Sequence, residues 1–267
     1  MKKQPKNYKG ILLSPPQFNY KLSKNIKLKN YSFSLCLAHS VLSGHNVCPM
    51  ANRITKGEKH EKKSTCSDVC VAVNGNGRYQ SVMDARIKKT KRFFEDRSGF
   101  MADLVNDIRR AIEWSTYHGY TASFRLNAYS DIRWETIIVQ DGKTIFDLFP
   151  ETTFYDYTKL SNRVTPDNYE LTYSHYGQWD ETRKADAKNM NIAMVFEASG
   201  LTKIKEPLPT EWHGKKVIDG DETDLRTREN DGVGVIVGLR SKMSKVNIAK
   251  ALNTFVVPND PSQVQGA

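Results

Sequence analysis

Four cysteines carry the most reactive chemistry in this 267-residue chain: Cys36, Cys48, Cys66 and Cys70, with none after residue 70. Cys66 and Cys70 are separated by three residues, a spacing that lets one loop wrap two thiolates around a single metal ion or cluster. Cys48, followed by Pro49, lies earlier in the same stretch. Three thiolates suit an iron–sulfur cluster with one open iron, or a zinc with one exchangeable position, and Cys36 or His60 is a candidate fourth ligand. Zinc ribbons usually show two close pairs and here there is one, so buried free thiols compete with a metal site on spacing alone. No run of about 18 apolar residues occurs, and the apolar patch Ile11-Leu12-Leu13 is shorter than a signal-peptide core. A cytosolic location is therefore expected, where disulfides are disfavoured.

A formal net charge of +10 points to a polyanionic partner. Residues 1–30 hold lysines at 2, 3, 6, 9, 21, 24, 27 and 29 and no acid, interleaved with Tyr8, Phe18 and Tyr20. Such a segment reads as a basic arm that releases counterions from nucleic acid and stacks rings on unpaired bases; a solvated tail without a partner is the competing account. Lys2, Lys3, Lys6, Lys9, Lys21 and Lys24 are its expected phosphate contacts. Lys88, Lys89, Lys91 and Arg92 put four more cations within five residues on the helix that leaves the cysteine loop.

The elements that must position these groups follow from periodicity. Ser81 and Asp84 have capping-box-like spacing, and Met83, Ile87 and Phe94 share one face of that basic helix. A second helix begins near Ser98, carries Met101, Leu104, Val105, Ile108 and Ile112 at helical spacing, and ends at Gly119. Downstream, SFRLNA, TFYDYT, YELTYS, NIAMVFEA, KKVID and VGVIVGL read as strands, alternating with helical patterns in KTIFDLF, DETRKADAKNM and SKVNIAKAL. Alternation implies parallel strands with crossovers, hence an α/β fold, and a complete or partial (β/α) barrel is expected because polar residues gather just after the strands. Asn127, Asp131, Asp156, Lys159, Ser174, Glu197, Asp219 and Arg240 are the residues expected at such a rim. They divide the chain into a basic arm (1–30), a single α/β domain (31–258) with its cysteine loop near the start, and a C-terminal tail (259–267).

Other patterns are weaker. Asp219, Asp221 and Asp224 offer three carboxylates for a Mg²⁺ ion, but Arg226 and Arg228 follow and suggest a self-neutralised loop. The six histidines occur without a nucleophile-elbow motif. The aromatic residues from Phe154 to Trp179 suit either base stacking or period-two burial.

Cys48-Pro49, Cys66-x3-Cys70 followed by Val71-Ala72, Gly77-Arg78-Tyr79 and a helix bearing Ala85-Arg86 resemble the phage protein family named for its gene-eighty-eight product. Val71 stands where that family has Tyr, and Val73 stands where a radical SAM loop has its third cysteine. The resemblance implies a phage protein of the host cytoplasm whose cysteine loop is similar to that of radical SAM enzymes, with an iron–sulfur cluster or zinc and S-adenosylmethionine as cofactors. The function expected is that of a cysteine-bound metal centre acting on or with nucleic acid, single strands preferred. The alternative is a non-enzymatic single-stranded DNA-binding accessory factor that works with phage replication or transcription proteins.

Overall fold

The structure, a computed structural model, describes residues 8–50, 66, 70, 72, 77, 79–199, 205–242, 248–249 and 251–264. In chain order the elements are β1 (Leu13–Ser14), α1 (Tyr20–Ser23), β2 (Asn30–Leu35), α2 (Gln80–Glu95), α3 (Arg97–Tyr117), β3 (Thr121–Arg125), β4 (Ile138–Gln140), β5 (Lys143–Thr144) and α4 (Ile145–Leu148). They continue with β6 (Thr153–Thr158), β7 (Tyr169–Ser174), α5 (Trp179–Asp186), β8 (Ile192–Ser199), β9 (Glu211–Trp212), β10 (Lys215–Asp219), α6 (Arg228–Asp231), β11 (Ile236–Ser241) and β12 (Val256–Val257). The six strand patterns of the sequence all fall on strands, whereas SKVNIAKAL lies largely outside the described residues.

The fold is mixed α/β around one large mixed sheet, ordered β1-β2-β3-β6-β7-β8-β11-β10-β9, with β12 also pairing with β8. Strands β2 to β10 along that path are parallel, and β1 and β9 join antiparallel at the two ends. Parallel strands need covered faces. Accordingly all six residues of β2 are buried, and Phe33, Phe124 and Phe154 of successive strands sit in one core beneath α3. A second core gathers Tyr173, Ile192, Phe196, Trp212 and Ile236. Among the described residues no helix is long and apolar enough to cross a membrane.

Helix α3 follows its sequence pattern. Asp96 caps it by accepting the Gly99 N–H at 3.1 Å, and Met101, Leu104, Val105 and Ile108 are buried. Gly119, at φ +75°, turns the chain into β3.

Helix α2 departs from its pattern. It starts at Gln80 without a side-chain cap, and its buried residues are Arg86, Thr90 and Phe93, while Phe94 is exposed. The inner face is turned toward polar duties. Arg86 Nη1 donates to the Ala72 carbonyl at 2.8 Å, and Thr90 Oγ1 accepts the Ala38 N–H at 2.8 Å. Hydrogen bonds to otherwise unpaired buried backbone groups outweigh the apolar period here.

Residues 8–30 are not an arm. The Asp107 carboxylate, set in the apolar face of α3, accepts the N–H groups of Ile11, Leu12 and Leu13 at 3.1, 2.7 and 3.0 Å, and Tyr8 donates to the Asp107 carbonyl. β1 then pairs with β2, and Leu22 of α1 is fully buried. One buried acid inside a helix thus anchors a segment that composition alone marks as free. At the other terminus, the Asn259 N–H donates to Glu197 at 3.0 Å and Val264 packs on the second core, so residues 259–264 also lie against the domain.

Two neighbouring strand pairs part early, whereas β6 stays paired with β7, and β8 with β11, to their carboxyl ends. β3 pairs with β6 only through Ser123 and Phe124, and β7 pairs with β8 only through Ile192 and Ala193. Beyond that point Val256 and Val257 of β12 take up the freed edge of β8 at Val195 and Phe196.

Candidate functional site

A cavity of about 220 Å³ lies at these diverging strand ends. Its wall includes Cys48, Cys66 and Cys70, with His39 and Ser40 from the loop after β2 and Asn127 to Asp131 from the loop after β3. Tyr157, Thr158 and Lys159 contribute from β6, Ser174 from β7, Leu239 to Lys242 from β11, and Lys21 from α1. The three thiols that spacing singled out therefore share one cavity. Cys36 does not line it; it sits just past β2, 3.6 Å from Ser34 Oγ. His60 lies outside the described residues.

Burial favours the protonated form of Cys48 and Cys70. Burial pushes Cys48 up to about 12, reinforced by the nearby Cys70 and Cys66 and opposed by the Ser40 N–H. Its Sγ accepts that N–H at 3.4 Å and donates to the Tyr129 carbonyl, also at 3.4 Å. Cys70 is likewise raised by burial and by Cys66, against the Ala72 N–H. As the side chains stand, no three His, Cys, Asp or Glu residues among those described are gathered closely enough to hold a metal ion. The donor chemistry nevertheless fits a thiophilic metal. Three thiols line one cavity, Cys48 and Cys70 are each raised partly by a neighbouring thiol, and the His39 Nδ1 on the same wall is buried without a hydrogen-bond partner among the described residues.

The loop that carries Cys66 and Cys70 is pinned from α2 through Arg86 and Ala72. Gly77 makes that approach feasible, because a Cβ there would lie 1.8 Å from the Ala72 carbonyl oxygen. The Arg86 guanidinium also stacks on Tyr129, 4.3 Å from the ring centre.

Among the expected rim residues, Asn127, Asp131, Lys159, Ser174 and Arg240 line the cavity, whereas Asp156, Glu197 and Asp219 do not. Asn127 is an organiser of its own loop. Its Oδ1 accepts from Ser130, the Ile132 N–H and Trp134, and its Nδ2 donates to Ile132 O at 2.9 Å. Asp131 accepts from Thr158, the Lys159 N–H and Arg163 at 2.8, 2.8 and 3.0 Å, and burial raises its pKa against those donors. Lys159 donates to Ser174 Oγ at 3.0 Å and lies over the Tyr176 ring.

Asp156 lies beneath the site, accepting the Asn127 N–H at 2.8 Å and the Tyr169 hydroxyl at 3.0 Å. Burial lifts its pKa to about 7, and Arg125, 3.9 Å away, limits the rise.

The carboxylates of the acidic segment at the end of β10 are paired with basic side chains. Asp219 and Asp221 are taken by Arg240 at 2.9 and 3.2 Å, Lys242 reaches Asp221 at 3.3 Å, and Arg125 pairs with Asp224 at 2.7 Å. Burial would raise Asp221, but Lys242 and the Arg240 N–H hold it below the usual carboxylate range.

The basic residues divide. Lys9, Lys88 and Lys91 are exposed. Lys89 instead turns inward and donates to the Leu12 carbonyl at 2.9 Å, and Arg92 pairs with Asp96 and Asp103 at 3.1 and 2.7 Å. Lys24 donates to the Asp221 carbonyl, and Lys21 faces the cavity. Lys2, Lys3 and Lys6 lie outside the described residues. The aromatic run is largely core material, since Phe154, Tyr155, Tyr169 and Tyr173 are buried; of that run Tyr157 lines the cavity, where Tyr129 and Phe255 add further rings. Lys21, expected as a phosphate contact on a free arm, and Tyr157, of the aromatic run, instead line this cavity, joined by His39, Arg125 and Lys242, which only the tertiary fold brings to the same wall.

No curated protein and no solved structure matches the chain significantly. A family model does, over residues 12–254, a span that takes in the cysteine loop, every strand of the cavity wall and the anchored segment from Leu12 onward. The chain belongs to the Gene product 88 family.

Proposed function

We propose that this protein is a partial (β/α) barrel that holds a metal or iron–sulfur centre on Cys48, Cys66 and Cys70 and works on or with nucleic acid as a divergent radical SAM-like phage protein. The observation that carries this reading is the meeting of three thiols with the carboxyl ends of parallel strands in one cavity. The sequential order β2, β3, β6, β7, β8, β11, all parallel, supports the barrel, and active sites of such barrels lie at that end. An iron–sulfur centre with one iron free of protein thiolate would bind S-adenosylmethionine and supply one-electron chemistry.

The chain's own residues set the conditions for it. Arg86 and Gly77 fix the cysteine loop, and Thr90 holds the segment after β2 at Ala38. Lys159, held against Ser174, and Arg240, braced by Asp219 and Asp221, present cationic groups to the cavity. The nucleic-acid part of the reading draws on exposed Lys88 and Lys91 and on the exposed rings of Phe18 and Tyr20.

The test is anaerobic purification followed by iron, sulfide and zinc analysis and visible absorption. Bound iron with acid-labile sulfide, lost on reoxidation, supports the cluster. Zinc, or no metal, overturns it in favour of a non-enzymatic single-stranded nucleic-acid-binding factor.

A further inference from the structure

The cavity carries a second chemical group apart from its sulfur wall. Lys21 of α1, Arg125 of β3 and Arg240 and Lys242 at the end of β11 line the same cavity as the three thiols. Ion pairs tie Arg125 to Asp224 and Arg240 and Lys242 to Asp221, so these side chains form a basic part of the wall.

At the basic part, four cations meet Asp219, Asp221 and Asp224, and Asp156 lies 3.9 Å from Arg125. Arg125 has Asp224, Arg240 has Asp219 and Asp221, and Lys242 shares Asp221. Lys21 is left over, its ammonium making no hydrogen bond or ion pair within the described residues while it lines the cavity. Burial, together with Arg125 and Lys242, keeps its pKa below the ordinary lysine value despite Asp224 and Asp221. Another donor at this wall, the Tyr157 hydroxyl, is buried without a hydrogen-bond acceptor among the described residues. A half-buried ammonium without a direct ion-pair partner is costly, and the carboxylates nearest it, Asp221 and Asp224, are already engaged by Arg240, Lys242 and Arg125.

We propose that the Lys21 end of the cavity is a subsite for an oxyanion, the phosphoryl or carboxylate group of the molecule on which the protein acts. Lys21 supplies the direct contact, and Arg125, Arg240 and Lys242 supply the field. Apolar Val195, Leu239 and Phe255 line the same cavity and accommodate the body of such a molecule. That the oxyanion belongs to a substrate rests on the cysteine wall being a reactive centre; the anion binding itself does not.

The experiment is calorimetric titration of inorganic phosphate, and separately of acetate, into the metal-free full chain. Saturable binding is expected, weakened about tenfold by Lys21→Met, the scale of one charged hydrogen bond, retained by Lys21→Arg, and unchanged by Lys143→Gln, at an exposed position of β5. Tighter phosphate than acetate assigns a phosphoryl group, and the reverse assigns a carboxylate. A chain that binds neither anion, or binds equally well with Lys21→Met, overturns the subsite. If Lys21→Met does not fold, Lys21→Gln makes the same comparison. Failure here leaves the metal centre untouched, and failure of metal uptake leaves the anion subsite standing.

Discussion

Arg86 reaches from the inner face of α2 to the carbonyl of Ala72, 2.8 Å away, and so ties the cysteine loop to a helix two turns before its own buried phenylalanine. The contact closes against Gly77, where there is no room for a side chain. Replacing Arg86 with Gln leaves a buried carbonyl unpaired and should cost about 1–3 kcal/mol. Gly77→Ala should act in the same direction, because backbone must move to admit the new carbon. Both variants should let iodoacetamide reach Cys70 faster than in the parent, as read by mass spectrometry. Unchanged alkylation in both would mean that the loop is held by other contacts.

The cysteines should separate by function. Single Ser substitutions at Cys48, Cys66 and Cys70 are each expected to abolish metal retention in anaerobically prepared protein, whereas Cys36→Ser should retain it. Metal binding to the folded chain should also raise Tm in the parent, because anything that binds only the folded state stabilises it. Equal metal content in all four variants would remove the thiols from the centre.

Nucleic-acid contact should follow exposure instead of simple charge count. Lys88→Ala and Lys91→Ala are each expected to lower the log–log salt slope on labelled single strands by about 0.7. Lys89→Ala should not, since its ammonium is already spent on Leu12. Fluorescence anisotropy across a salt series reads this directly, and identical slopes in all three proteins would rule out α2 as a phosphate-contacting face.

Two buried groups tilt stability with pH in opposite senses. Asp156 is raised to about 7 by burial, so the folded state binds more protons than the unfolded one between about pH 4 and 7, and stability falls as pH rises through that window. His175, lowered to about 3 by burial and by Lys159, does the reverse: the unfolded state binds more protons between about 3 and 6.5, and stability rises with pH. Relative to the parent, Asp156→Asn should therefore make urea stability climb more steeply from pH 4 to 7, and His175→Gln should make it climb less between pH 4 and 6.5. Parallel profiles in all three proteins would show that neither group changes its protonation on folding.

The cysteine triad, the strand sequence and the polar strand ends were legible because each depends on local spacing or period. The inner face of α2 was not, since Arg86 and Thr90 are buried by bonds to Ala72 and Ala38, partners far away in sequence. Asn127 and Asp131 were found at the right place, but as loop organisers whose hydrogen bonds are already committed. The lysine-rich start reads as a free arm until Asp107 is seen beneath it. A single acid in an apolar helical stripe leaves no trace in composition, yet it decides where residues 11–13 lie.

The division of the β8 edge between β7 and β12 sets an order of events during synthesis. The inner half of that edge finds its partner as soon as β8 itself is made, because β7 precedes it, but the outer half, at Val195 and Phe196, waits for Val256 and Val257, some sixty residues later. A nascent chain on the ribosome therefore carries an unpaired strip beside its cavity until β12 emerges, and unpaired strand edges invite association with other chains. Truncation before β12 should consequently show itself first as aggregation during expression, before any loss of chemistry is measured.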